Sequence, residues 1–352
     1  MYNISMDSNN LRHLQDKARG MLLGLAIGDA LGAPYEIGWQ SEQIKKLGRK
    51  LAHFARSPLL PPGFWTDDTS MALCLADSLI ANNGYNSYDL MTKFSNWFYH
   101  GYRSSYGNKA FDVGAQTART ITAFATKPTI PAKEAKAKQA GNGAIMRLAP
   151  VAIANTFIAH QNSKTISPNE FVPITKMAIL SCRETHNAIA AECVTQAFAV
   201  TLYSAMRGHS KTQILSYLKK HILHQTGLYA DFWQKHAPIL AQQIYGNSKD
   251  LHDLDGRIFN AFSIALWGFL HSRSFLSGAV KVIRLGGDTD TNAAIFGQLA
   301  GAYYGYKKLP KNLRAKVYLA SEIIEIADTL LKMPACPILK TRFEDDAHFV
   351  RN

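Results

Sequence analysis

Apolar positions recur with helical spacing in one segment of this chain after another. Residues 15–33 carry apolar side chains on more than one face, the pattern of a helix sunk in a large core. In 69–82 (TSMALCLADSLIAN) the apolar positions Met71, Leu75, Leu79 and Ile80 follow a run of capping residues. The same periodicity predicts helices over roughly 109–125, 143–160, 170–183, 186–207, 211–222, 257–272, 275–284, 290–305 and 311–331. Period-two alternation, the mark of a half-buried strand, is almost absent. Pro and Gly punctuate the pattern at 58–63, 128–131, 141–143 and 246–256, where loops are expected. No internal repeat and no low-complexity linker stands out, so one all-α catalytic-size domain over 1–352 is expected, with its core at about 15–331 between polar tails. In such a fold a binding site has to be assembled from loops and helix starts.

Composition excludes several classes. An apolar content of 47% with 18% charged residues supports a substantial core and argues against disorder. The apolar run at 21–27 is interrupted by Gly24 and stopped by Asp29, far short of the roughly 20 residues a bilayer-crossing helix needs, so no membrane span is expected. Residues 1–20 are polar and mixed in charge, unlike a secretory signal. Cys74, Cys182, Cys193 and Cys336 are scattered without paired spacing. They read as small core residues rather than a disulfide frame or zinc site, and a reducing, cytoplasmic location is expected. The net charge of +13 admits nucleic acid, an anionic membrane surface or an anionic small molecule as partner. That charge is spread out, and its densest groupings, at 133–138 and 307–316, lack interleaved stacking aromatics. Solvated basic faces are therefore favoured over a nucleic-acid site.

Two segments carry candidate chemistry. Trp65-Thr66-Asp67-Asp68-Thr69 and Gly286-Gly287-Asp288-Thr289-Asp290-Thr291 each place two carboxylates and neighbouring hydroxyls at a predicted helix start. Capping explains one such residue per helix, since Asp and Thr satisfy free N–H groups and complement the helix dipole. Four carboxylates are more than capping requires, and if the two starts face each other their repulsion needs a counter-charge. Oxygen-only ligands would select a hard cation, Mg²⁺ or Mn²⁺, and the ligand count allows two ions. From spacing alone, a metal site and paired caps both remain open.

Three further pieces flank these. The segment GMLLGLAIGDALGAPYE at 20–36 is an apolar helix rich in glycine, which allows close backbone approach, and it holds Asp29 and Glu36. Asp29 within that apolar surface has to be paired, bound or used to cap a neighbouring loop, because burying a lone carboxylate is costly. Glu36 lies beyond Pro34, free to reach a site. Gly141-Asn142-Gly143-Ala144 precedes an apolar helix and could offer backbone N–H groups to a phosphate, although such a sequence is often a plain turn. Phe111-Asp112-Val113-Gly114 and Thr185-His186 are its companions. No G-x-S-x-G elbow, P-loop or dinucleotide-binding glycine pattern is present.

With these blocks in place, the chain resembles the ADP-ribosylglycohydrolase family, including its dinitrogenase reductase-activating and ADP-ribosylarginine hydrolase branches. The matching blocks run in family order: 20–36, WTDDTSMAL at 65–73, FDVG at 111–114, GNGAIMRLAP at 141–150, THNAIAAE at 185–192 and RLGGDTDTNAAIFGQLAGAYYG at 284–305. The resemblance implies an orthogonal all-α bundle with two Mg²⁺ or Mn²⁺ ions in a cleft. It implies Thr66, Asp67, Asp68, Asp288, Asp290 and Thr291 as metal ligands and Glu36 at the site's edge. The pyrophosphate of ADP-ribose would lie along Gly114, Gly141, Asn142, Gly143 and Ala144, with His186 nearby. Asp112 matches an acid of the arginine-directed branch, so it and Glu36 are the candidate catalytic acids, and an ADP-ribosylated protein is the expected partner. Ile145 stands where some relatives carry an adenine-stacking aromatic, and 223–255 contains no recognisable block and is expected to shape the rim. A monomer is expected. The competing readings are another ADP-ribosyl linkage (serine, nucleobase or small molecule) and a non-catalytic ADP-ribose reader.

Overall fold

A computed structural model describes residues 8–57, 59–128, 140–156, 165–251, 256–333 and 336–339. The expected groupings and loops at 133–138, 129–131 and 252–255, and the predicted helix end at 157–160, lie outside the described residues. Within them the chain is all-α, with isolated bridges (Tyr85 with Ile338, Gly141 with Arg257) in place of strands. The α-helices are α1 (Ser8–Gly32), α2 (Ser41–Lys46), α3 (Asp67–Asn82), α4 (Ser87–His100), α5 (Ala115–Thr126), α6 (Ala149–Thr156), α7 (Phe171–Arg183) and α8 (Ile189–Met206). They continue with α9 (Lys211–Leu223), α10 (Gly227–Tyr245), α11 (Ile258–Leu270), α12 (Phe275–Ile283), α13 (Thr289–Tyr304), α14 (Lys311–Arg314) and α15 (Ala320–Leu331).

The centre of the fold is the antiparallel pair α1 and α13. Gly20, Gly24, Gly28 and Gly32 recur every fourth residue, so they share one face of α1. A Cβ on Gly20 would overlap the carbonyl of Gly301, one on Gly24 that of Gly297, and one on Gly28 that of Ala293. The two backbones therefore meet directly, with no side chain between them. The descending register brings the end of α1 to the start of α13, where Thr289 Oγ1 donates to the carbonyl of Gly32 at 2.9 Å. This single packing choice places Asp29 and Glu36 beside Asp288 and Asp290. Around the pair, α8 is buried on all sides, and although long and apolar enough to cross a membrane, 94% of it is enclosed by the protein, as a core helix would be. All four cysteines are buried and unpaired, in keeping with their reading as core residues.

Several expected boundaries are corrected. Residues 109–114 are a loop, not the start of a helix, and Asp112 there adopts a left-handed backbone with φ 56°. The helix expected from 143 begins at Ala149, after a short 3₁₀ turn at Asn142–Ala144. The single helix expected over 311–331 is two, broken where Leu319 takes φ 50°. Helices α2, α4 and α10 were not anticipated. α10 occupies most of 223–255 and packs on α8, α9 and α11. The grouping at 307–316 presents Lys307, Lys308, Lys311 and Lys316 as an exposed face.

Candidate active site

The start of α3 is capped from another helix. Its own N-cap residue, Thr66, makes no side-chain cap bond. Instead Asp29, fully buried on α1, accepts from the Thr66 N–H and Oγ1 at 2.9 Å each through Oδ1, and from the Thr69 N–H at 3.1 Å and Oγ1 at 2.6 Å through Oδ2. These bonds make Asp29 a cap, of the start of α3 rather than of a loop, while one of its oxygens also belongs to an acidic group with Asp68 and Asp290. Since a remote carboxylate does the capping, Asp67 and Asp68 are left free for other work. At the start of α13 the N-cap residue Asp288 likewise makes no side-chain cap bond. Its Oδ2 accepts from Asn142 Nδ2 at 2.7 Å, which ties the glycine loop to this acid.

The two starts do face each other. Thr66 Oγ1 lies 3.2 Å from both Asp68 Oδ2 and Asp290 Oδ2, and Thr291 Oγ1 lies 3.3 Å from Asp68 Oδ2. Carboxylate oxygens of Asp29, Asp68 and Asp290 fall within 4.8 Å of one another, as do those of Glu36, Asp288 and Asp290, so Asp290 belongs to both groups. Burial first, and then the charges of neighbouring carboxylates, hold Asp67, Asp68 and Asp290 well above the usual carboxylate range. Asp29 is raised to about 6 by burial, against its four hydrogen bonds, which pull it down. Glu36 is pushed up to about 9 by burial, by hydrogen bonding to Asp112, and by the charges of Asp112, Asp288 and Asp29. Asp68 Oδ1 and Asp290 Oδ1 are buried with no hydrogen-bond partner among the described residues. Orphaned acceptors are costly unless a cation or donor serves them. An all-oxygen donor set with orphaned carboxylate oxygens fits a hard divalent cation.

The flanking pieces converge on the same place. The glycine loop is pinned by Asn142 N–H to the Gly256 carbonyl at 3.0 Å, and by Gln298 Nε2 on α13 to the carbonyls of Ile145 and Met146 at 2.9 and 2.7 Å. His186, 4% exposed, lies under that loop, where a Cβ on Gly143 would sit 2.9 Å from its Nε2. Burial and the Arg147 charge lower His186 to about 3, so it is neutral. Asp112 approaches Glu36 and Asp67 from the loop before α5, whose N-cap residue is the exposed Gly114. A left-handed Asp is tolerated better than most residues, yet it still stores strain, and such strain concentrates at working sites.

The chain and its fold have counterparts among known proteins. The family model for ADP-ribosylglycohydrolase matches residues 10–337. The chain belongs to the ADP-ribosylglycohydrolase family. It is 31% identical over 317 residues to ADP-ribosylarginine hydrolase Tri1 of Pseudomonas putida (strain GB-1), covering 90% of this chain and 78% of that protein. It is 28% identical over 332 residues to ADP-ribosyl-[dinitrogen reductase] glycohydrolase of Rhodospirillum rubrum, covering 91% and 97% respectively. With human ADP-ribosylhydrolase ARH3 the identity is 25% over 84% of this chain and 87% of that one. A solved structure described as an ADP-ribosylglycohydrolase-related protein complex superposes with a TM-score of 0.71 at 31% identity, covering 92% of this chain and 99% of that one.

As an ADP-ribosylglycohydrolase the protein is a hydrolase, and the resemblance drawn from its motifs holds across nearly the whole chain. Three features of this family member escaped the sequence reading. The Asn142–Asp288 bond was not foreseen, because the loop was read for its glycines and its backbone N–H groups. Gly256, where a Cβ would meet Asp288 Oδ2 at 3.0 Å, sat unnoticed in an expected loop. Arg147, fully buried, carries no signal in the sequence beyond its place in GNGAIMRLAP.

Proposed function

We propose that this ADP-ribosylglycohydrolase cleaves the N-glycosidic bond between ADP-ribose and arginine on a modified protein, releasing ADP-ribose. The observation that carries the metal half of this reading is the pair of orphaned oxygens on Asp68 and Asp290, at helix starts whose acids are not spent as caps. Thr66, Asp67, Asp68, Asp288, Asp290 and Thr291 would hold two divalent cations, Mg²⁺ or Mn²⁺. When bound, such ions orient sugar hydroxyls and lower the pKa of a water. Similarity to the ADP-ribosylarginine hydrolase of Pseudomonas putida and the acid at Asp112 support arginine as the linked residue.

The chain's own residues would do the rest. Gly114, Gly141, Asn142, Gly143 and Ala144 would follow the pyrophosphate, with His186 beneath. Breaking the bond places a hydroxyl on the ribose carbon and requires a proton on the departing guanidine nitrogen. Glu36 and Asp112, side by side at the mouth of the acidic cluster, are the groups to hold and deliver it. Asp112 would also steer the cationic guanidinium. The buried carboxylates stabilise the positive character that develops on the ribose.

The test is release of free ADP-ribose from arginine-ADP-ribosylated protein with Mg²⁺ or Mn²⁺, and with EDTA. Metal-dependent release supports the reading. Release from a serine-linked substrate instead would move the linkage assignment. No release from any linkage by a folded protein that binds ADP-ribose would make it a reader.

A further inference from the structure

We propose that Thr185 is a positioning residue: it fixes His186 as the neutral Nε2–H tautomer and so offers that N–H to an anionic group bound at the glycine loop. The identity of the anion rests on the functional reading above; the tautomer does not. The argument is a proton count. The Arg147 guanidinium can only donate, and its Nη2 reaches the Ser181 carbonyl at 3.0 Å and Thr185 Oγ1 at 2.6 Å. The Thr185 oxygen is therefore an acceptor towards Arg147, and its own hydroxyl proton must be given elsewhere. The partner in place is His186 Nδ1, at 2.8 Å. Donation into Nδ1 makes that nitrogen the lone-pair one and leaves the ring proton on Nε2.

The opposite arrangement, Nδ1–H into Oγ1, would strand the hydroxyl proton of a residue with no solvent exposure, where an unmet donor costs its full desolvation. Nε2 itself makes no hydrogen bond among the described residues, although the side chain is almost fully buried. A Cβ on Gly143 would stand 2.5 Å from His186 Cε1 and 2.9 Å from Nε2, so that glycine is needed to admit the ring, whereas one on Gly141 would stand in ordinary contact at 3.4 Å. The burial that keeps the imidazole uncharged leaves a neutral donor, the form that meets an anion without adding a charge to be desolvated. The other tautomer would turn a lone pair towards that anion. Thr185 also anchors the neighbouring wall, because its carbonyl accepts from Gln116 Nε2 at 3.0 Å on α5, the helix that begins just after Gly114.

Nitrogen NMR of the full-length protein with isotope-labelled histidine reads the tautomer directly, without substrate. The expected result is a protonated Nε2 and an unprotonated Nδ1 at His186 from pH about 8 down to about 5. Thr185→Val is expected to mix the tautomers and weaken ADP-ribose binding about tenfold by calorimetry, the worth of one hydrogen bond. Thr185→Ser, which keeps the hydroxyl, is expected to restore both. A protonated Nδ1 in the wild type overturns the proposal, and so does a valine variant with wild-type tautomer and affinity. If the valine variant fails to fold, the wild-type spectrum and the serine variant still decide. A wild-type protein with the Nε2–H tautomer that binds no ADP-ribose refutes the functional reading while upholding the role of Thr185 on the ring.

Discussion

Asp29 and Asp290 are both buried carboxylates a few ångströms apart, yet their bonding separates their roles. Asp29 spends both oxygens on four donors at the start of α3, whereas Asp290 keeps Oδ1 without a partner. The first organises and the second is available to bind. Replacing Asp29 by Ala strands the Thr66 and Thr69 N–H groups and the Thr69 hydroxyl, while Thr66 Oγ1 keeps Asp68 and Asp290 within 3.2 Å. The loss of a buried, hydrogen-bonded charge costs about 3–5 kcal/mol. The expected result is a large drop in denaturation midpoint together with loss of activity. Replacing Asp290 by Ala is expected to do the reverse. Turnover falls about a thousandfold or more, since metal stabilisation of several kcal/mol is lost at roughly 1.4 kcal/mol per decade. Stability of the metal-free protein holds or rises, because a repelling charge has gone. Calorimetric titration with Mn²⁺ and urea denaturation in EDTA separate the two cases. Wild-type turnover in the Asp290 variant would remove the metal reading.

At the scale of elements, the site depends on how closely α1 and α13 approach. Gly28→Ala sets two effects against each other. Alanine improves helix propensity by about 1 kcal/mol, but its methyl would overlap the Ala293 backbone, which cannot rotate away. Overpacking of this kind costs about 1–3 kcal/mol, so a net loss of stability is expected, measured as a lower urea midpoint. Activity should fall too, because separating the helices moves Asp29 and Glu36 away from Asp288 and Asp290. The glycine spacing and the acidic helix starts were legible in the sequence because they are local patterns of composition. The cap on α3 was not, since 37 residues separate Asp29 from Thr66 and nothing local pairs them. FDVG falls inside the expected helix because Phe111 stands four residues before Ala115 and Val113 eight before Ile121, both helical spacings, whereas the left-handed Asp112 that ends the pattern carries no glycine to announce it. α4 buries Leu90, Met91, Phe94 and Trp97 at helical spacing, but exposed Tyr88 and Tyr99 blur that face. α10 buries little and holds Pro238 in its interior, a residue that reads as a breaker.

For the whole molecule, these charges make stability a function of pH and metal together. Glu36 is raised to about 9, so in metal-free protein the folded state holds a proton that the unfolded chain releases above about 4.5. The folded state then binds more protons, and stability is lost as pH rises through that interval. The raised Asp67, Asp68 and Asp290 act in the same direction. His186, lowered to about 3, acts oppositely: its contribution is complete above about 6.5 and lost as pH falls through the folded value. Lys17, lowered to about 8 by burial, adds a stabilising slope only from there upwards. Between pH about 6.5 and about 8 the carboxylates therefore govern, and metal-free protein should lose stability across that window. Divalent cations supply the missing counter-charge to the ionised acids, so saturating Mn²⁺ should flatten or reverse the slope. At a hundredfold excess over Kd each bound ion should add about 2.7 kcal/mol. Urea titrations at successive pH values, in EDTA and in Mn²⁺, read both terms. Curves that coincide at every pH would mean that the acids hold no cation, and that the orphaned oxygens of Asp68 and Asp290 are met by protons instead.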